Sequence, residues 1–257
     1  MSDAEWAFFA PFLIENRTQG GRRPMDHRRV LDGVLYVTRT DVPWRDLPPE
    51  FGNWNSVHRQ YRRWTEAGVW DVMLAALSDS PASDNTLQMF DSTIVRVHQH
   101  GAGGKGGIQR NCIGRSRAGL TTKVHTRANA EGLAVGFHVT PGQASDMTAY
   151  DDLMAEDAPL PEAMLGDKGH DSDAIRSDLE RRGIDPVIPT RSNRRAQRTI
   201  DKAAYAMRNR IERFFNKIKH SRRVATRYYK LASSFLGFVQ LAVRLRRGPP
   251  CLVLRKG

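Results

Sequence analysis

A chain of 257 residues, 40% hydrophobic and 26% charged, can bury a full core, which excludes disorder as the default reading and suits one medium domain with a smaller appendage. Its two cysteines, Cys112 and Cys251, have no partner at metal-ligand or redox-motif spacing, which excludes a disulfide framework and fits a reducing compartment. The net charge of +12 calls for an anionic partner and is unevenly spread: residues 1–80 hold 10 Lys/Arg against 11 Asp/Glu, residues 81–190 hold 11 against 15, and residues 191–257 hold 19 against 2.

The opening MSDAEWAFFAPFLIEN lacks the basic start and cleavage site of a secretory signal. No apolar run has the length of a membrane span. The expectation is a cytoplasmic, nucleoid-associated protein with no membrane partner.

Residues 1–80 read as a helical, DNA-binding domain. Trp6, Phe9 and Leu13 recur at helical spacing, as do Val30, Val34 and Val37, and then Val57, Tyr61 and Trp64. The prolines and glycine of DVPWRDLPPEFGNW forbid regular structure between the second and third helices. Arg59, Arg62 and Arg63 lie beside or opposite the third apolar stripe. That helix suits a helix-turn-helix reader of DNA and equally a solvated charged face on a small bundle.

SDSPASDN (78–85) reads as a linker, and residues 86–247 as the catalytic domain. LQMFDSTIVRVH (87–98) is a buried strand. A glycine-rich loop follows from Gly101 to Gly107. GLTTKVHTRA and GLAVGFHVT form a hairpin across Asn129–Gly132. Asp146–Glu156 is helical, AMLGD (163–167) a short strand, Asp171–Arg182 a helix stopped by Gly183, and DPVIP a strand. Three strands, helix, strand, helix and strand, then a long C-terminal helical region, is the order of an α/β ribonuclease H-like core. Residues 248–257 read as an irregular tail after Pro249 and Pro250.

Asp91 interrupts an apolar strand, where a carboxylate is costly without a counter-charge. Asp167 ends a strand at the carboxyl edge of the sheet, where open α/β sheets bind ligands. Either aspartate alone reads as readily as a cap or turn residue. Glu212 is one of two acidic residues in the basic C-terminal region. At about 100° per residue, Tyr205, Arg208, Glu212 and Lys219 fall within roughly 60° on one helix, beside the stripe of Met207, Ile211, Phe214, Phe215 and Ile218. An ordinary helical ion-pair network would look the same. Three carboxylates suit Mg²⁺ or Mn²⁺, and two such ions can activate a water or 3′-hydroxyl and stabilise the leaving oxygen at phosphorus.

These blocks resemble the DDE transposases of bacterial insertion sequences, in the IS-five group. That superfamily's signature is Tyr, Arg, Glu and Lys separated by two, three and six residues, as in Tyr205, Arg208, Glu212 and Lys219. GRRPMDHRRVLDGVLYVTRTDVPWRDLP, WNSVHRQYRRWTEAGVW, FDSTIVRVHQH, IGRSRAGLTTKVH and LGDKGHDS also match in order and span nearly the whole chain. The resemblance implies a catalytic and metal-binding triad of Asp91, Asp167 and Glu212 with two Mg²⁺ (or Mn²⁺) ions. It implies cleavage at terminal inverted repeats of double-stranded DNA, strand transfer into target DNA, and a homodimer or higher assembly on paired ends. It also implies DNA contacts from Tyr205, Arg208 and Lys219. The chain departs from the pattern at His170, where the resemblance leads one to expect tyrosine, and at its proline-broken end.

Other clusters point less far. His98, His100, His125, His138 and His170 lack further ligands at zinc spacing. The glycines around Lys105 lack a Gly-Lys-Ser/Thr ending and suit a mobile loop, so that Arg115, Arg117 and Lys123 could touch DNA phosphates or form an exposed basic strand. Two other functions fit the same residues: a ribonuclease H-like nuclease that does not join ends, and a non-catalytic DNA-binding protein derived from a transposase.

Overall fold

The computed structural model describes residues 1–13, 25–79, 83–104, 106–117, 119–156 and 158–247. The expected tail at 248–257, residues 80–82 of the linker and Lys105 lie outside the described residues.

Four helices come first: α1 (Asp3–Phe9), α2 (His27–Thr40), α3 (Trp54–Glu66) and α4 (Val69–Ser78). The free N–H groups at the starts of the first three find side-chain acceptors. Ser2 and Glu5 form a reciprocal box at α1, Asp26 caps α2 and Asn53 caps α3. Gly68, at φ +69°, makes the sharp turn between α3 and α4.

The remaining elements are β1 (Leu87–Val97), α5 (Gly107–Arg110), β2 (Gly114–Ser116), β3 (Gly119–Asn129), β4 (Ala134–Pro141), α6 (Tyr150–Ala155), β5 (Ala163–Leu165), α7 (Asp173–Arg181), β6 (Asp185–Val187), α8 (Lys202–Ala206), α9 (Asn209–Lys219), α10 (Arg222–Ala225), β7 (Thr226–Arg227) and α11 (Ala232–Arg247). Across the sheet the order is β4, β3, β1, β5, β6, with β2 beside β4 on β3 and β7 further along β1. The β1–β3 and β3–β4 pairs are antiparallel, and the β1–β5 and β5–β6 pairs are parallel.

Alternating side chains of β1 divide the core, as the period of two requires. Met89 and Val95 face one side with Leu165 and Val187, under Ile211, Phe214, Phe215 and Ile218 of α9. That core continues through Phe235 and Phe238 of α11 to Val30, Tyr61, Trp64 and Trp70, so the N-terminal helices and the sheet share one apolar interior. Phe90 and Met164 face the other side, under Tyr150 and Leu153 of α6 and Ile175 and Leu179 of α7.

Three features differ from the sequence expectation. The two- and three-residue strands β7 and β2 are too short to leave a periodic signal. Asp146–Ala149 is a 3₁₀ turn preceding α6 and not the first turn of one helix. The helix expected through Tyr205–Lys219 is divided. Met207, Arg208, Arg210 and Ile211 donate to Ala204, Tyr205, Met207 and Arg208, three residues back, so the chain tightens into a 3₁₀ turn between α8 and α9.

Candidate active site

Asp91 and Asp167 owe their proximity to the sheet. β1 and β5 pair in parallel with Leu87 opposite Ala163 and Met89 opposite Leu165. β5 ends at Leu165, and Asp167, two residues further on, comes near enough to Asp91 for the two carboxylates to repel each other. Asp91 shares the parity of Met89 and Val95 and therefore projects toward α9. Its Oδ1 accepts from Ser92 N at 2.8 Å, and its Oδ2 meets the Arg208 guanidinium at 3.0 Å. Burial pushes the Asp91 carboxyl above its ordinary value and Asp167 adds to the rise, while Arg208 opposes it.

Asp167 caps the short turn that follows β5. Its Oδ1 accepts from Gly169 N at 2.9 Å and from the His170 ring at 2.8 Å. The bond from His170 is the main cause holding its carboxyl down to about 2, against the cost of burial. The turn is crowded: a Cβ added at Gly169 would stand 2.8 Å from Asp167 Oδ1 and 3.0 Å from Asp146 Oδ2.

Glu212 comes from α9. Its carboxylate is the more open of the three and is joined to Arg208 at 2.8 Å. One guanidinium thus bridges Asp91 and Glu212. Burial works against its charge, yet Asp91, Tyr205, Asp167 and Glu212 together raise its pKa. Lys219, one helical face further along, donates to Thr93 Oγ1 at 2.6 Å, and its burial lowers its pKa. Arg208 and Lys219 therefore both reach β1, at Asp91 and Thr93, despite the 3₁₀ turn between α8 and α9.

Sequence reasoning missed a fourth carboxylate. Asp146 accepts from Ser92 Oγ at 2.5 Å and pairs with Lys123 at 3.2 Å, next to the Asp167 turn. As the first residue of an apparent helix it carried only the signal of a cap.

Two family models match this chain. One, described as "Putative transposase of IS4/5 family", covers residues 1–74, and the other, described as "Transposase DDE domain", covers residues 82–243. The chain belongs to the DDE transposase family. A "Putative transposase for insertion sequence element IS6501" of Brucella ovis is 36% identical to this transposase over 127 residues, 48% of this chain and 95% of the relative. An uncharacterized protein, y4sN, of Sinorhizobium fredii is 42% identical over 106 residues, 41% of this chain and 82% of the relative. A piggyBac transposase, solved as a synaptic complex with hairpin DNA, superposes with a TM-score of 0.53 at 10% identity, covering 93% of this chain and 68% of that one. At that identity the likeness concerns the fold, which is ribonuclease H-like with a helical N-terminal region.

Membership in the family implies dependence on a divalent metal. The donors around Arg208 are hard carboxylate oxygens, and a guanidinium already stands among them as a positive charge, so the chemistry fits such an ion. Among the described residues no three acidic, histidine or cysteine side chains meet around one point. Arg208 occupies the space between Asp91 and Glu212.

The other expected DNA-contacting residues of the transposase fall elsewhere. Lys123 is not an exposed strand lysine. It is buried, with its ammonium held by the Ala144 carbonyl at 2.5 Å and by Asp146, because residue 123 of β3 faces the α6 side of the sheet. Arg115 and Arg117 are exposed. Arg115 pairs opposite Leu120, six residues along β3 from the Thr126 that faces Asp91, or about 20 Å away. Arg59, Arg62 and Arg63 are exposed on α3, whose buried side is Val57, Gln60, Tyr61 and Trp64; Arg62 pairs with Glu66 at 2.7 Å. His98 stacks on Tyr228 and meets His100 edge-on, His125 bonds Thr140, and His138 pairs with Asp152. No helix among the described residues is long and apolar enough to cross a membrane.

Proposed function

We propose that this transposase cleaves double-stranded DNA at the terminal inverted repeats of an insertion element and transfers the freed 3′-hydroxyls into target DNA, with Asp91, Asp167 and Glu212 holding divalent cations. The observation that supports the reading is that parallel pairing of β1 with β5 brings Asp167, two residues beyond β5, near Asp91, which one bridging arginine joins to Glu212.

Two Mg²⁺ or Mn²⁺ ions held there would supply activation of the attacking oxygen and charge stabilisation of the leaving one. Asp91 and Asp167 contribute oxygens fixed by the sheet. Glu212 would contribute one from a side chain open to solvent. Arg208, which pairs with Asp91 and Glu212, would be placed to meet a phosphate oxygen of bound DNA, with Tyr205 and Lys219 as further contacts. Arg59, Arg62, Arg63, Arg115 and Arg117 would add exposed phosphate contacts away from the chemistry and make binding strongly salt-dependent. Residues 1–80 act as the DNA-binding part and 86–247 as the catalytic part, assembled as a dimer or larger on two paired ends, in the cytoplasm at the nucleoid.

Purified protein mixed with inverted-repeat duplex, Mg²⁺ and a target plasmid should give cleaved ends and joined product. Asp91→Asn and Glu212→Gln should each lose cleavage by on the order of a thousandfold or more, several kcal/mol of charge stabilisation, while retaining end binding in a gel shift. Cleavage surviving in either variant would remove that carboxylate from the triad. Cleaved ends without joined product would reject strand transfer.

A further inference from the structure

We propose that His170 is a positioning residue that selects which oxygen of Asp167 faces the cation, an inference that rests on Asp167 being a metal ligand. The residue is 3% exposed. Its ring stacks on Phe90 at 5.8 Å and 20°, and Phe90 is itself buried between the sheet and α6. With the ring plane held, Nδ1 lies 2.8 Å from Asp167 Oδ1. The acceptor is a carboxylate, so Nδ1 carries the proton.

Gly169 N donates to the same oxygen. Both bonds fall on Oδ1, which leaves Oδ2 as the oxygen offered to a cation. A carboxylate held by two donors on one oxygen cannot turn about its Cβ–Cγ bond without breaking both, and outer partners of this kind orient metal ligands. The position admits few alternatives. A Cβ at Gly166 would stand 3.1 Å from His170 Cβ, and Asp171, the next residue, is fully buried and bonded to Arg176, Arg191 and Arg194. The backbone that carries His170 is thus anchored on both sides. A tyrosine here would carry its hydroxyl past Oδ1, since that group lies at the far end of the ring while Nδ1 lies one bond from Cγ.

The test uses the full chain with His170→Asn, His170→Gln and His170→Phe. Asparagine sets an amide where Nδ1 stands, glutamine sets it one carbon too far, and phenylalanine keeps the stack without a donor. Mn²⁺ affinity, read from free Mn²⁺ by electron paramagnetic resonance, should fall about 10- to 100-fold for Phe and Gln and return to within about threefold of the parent for Asn. The Mg²⁺ concentration for half-maximal cleavage should move in parallel, with end binding unchanged. Parent-like Mn²⁺ affinity in His170→Gln, or His170→Asn binding no better than His170→Gln, would overturn the inference. Asp167→Asn separates the two levels. Mn²⁺ affinity unchanged in that variant sinks the ligand assignment itself, whereas a loss there alongside parent-like His170→Gln sinks only the positioning role.

Discussion

Asp167 and Glu212 are both carboxylates of the proposed triad, and the molecule treats them in opposite ways. Asp167 sits two residues beyond a central parallel strand, with Oδ1 gripped by Gly169 and His170 and with the next buried charge, Asp171, tied to the Arg176 and Arg194 guanidiniums and the Arg191 amide. Glu212 stands on a helix, 55% exposed, with Arg208 as its partner. The difference is one of constraint: the Asp167 carboxylate is held by two donors on one oxygen, whereas the Glu212 side chain stands open to solvent on an anchored helix.

Exchanging side-chain lengths breaks this comparison most directly. Asp167→Glu adds a methylene where the carboxylate cannot shift, so cleavage of end-containing duplex should fall on the order of a hundredfold or more. Glu212→Asp, on the open helix, should cost about tenfold. Equal losses in the same cleavage assay would mean that the two carboxylates are held equally tightly.

The anchoring of the Asp167 turn can be removed separately. Arg176 and Asp171 are 2% and 0% exposed and paired at 2.9 Å. Arg176→Met leaves a buried carboxylate short of its main cation and should cost about 3–5 kcal/mol in urea unfolding. Arg208→Met removes a partner from the open Glu212 and from the largely buried Asp91, and should cost less than Arg176→Met, about 1–3 kcal/mol. A reversed order would contradict the contrast.

A separate effect, away from both carboxylates, concerns pH. Burial lowers the His125 pKa to about 4, on β3 beside Asp146. The unfolded chain takes up this proton near 6.5 and the folded one near 4. The stabilisation is therefore complete above about 6.5 and is lost as pH falls toward 4, by roughly 3 kcal/mol. His125→Gln, measured by denaturation across that window, should flatten the slope; an unchanged slope would place the titration elsewhere.

Much of this arrangement was legible in the order of residues. The helical stripes of Val30, Val34 and Val37 and of Val57, Tyr61 and Trp64 are buried as their spacing predicts. The hairpin turn at Asn129–Gly132 and the stop at Gly183 also lie where glycine at positive φ is needed. Less visible were features that depend on partners distant in sequence. Lys123 reads as a basic strand residue until Asp146 is seen beneath it, and Asp146 reads as a helix start until Ser92 and the Asp167 turn are seen beside it. His170 looked like a departure from a pattern, and only Phe90 and Asp167 together show what its ring contacts.

What the sequence determined by itself was periodicity, charge distribution and the blocks that mark the family, because these are local or additive along the chain. The tertiary structure decided which carboxylates come near one another, which oxygen of Asp167 is already occupied, and that Arg208 holds Asp91 and Glu212 together. Those depend on strand register and on the seating of α9 against β1. The first pairs residues such as Leu87 and Ala163, and the second joins residues as distant in the chain as Asp91 and Arg208.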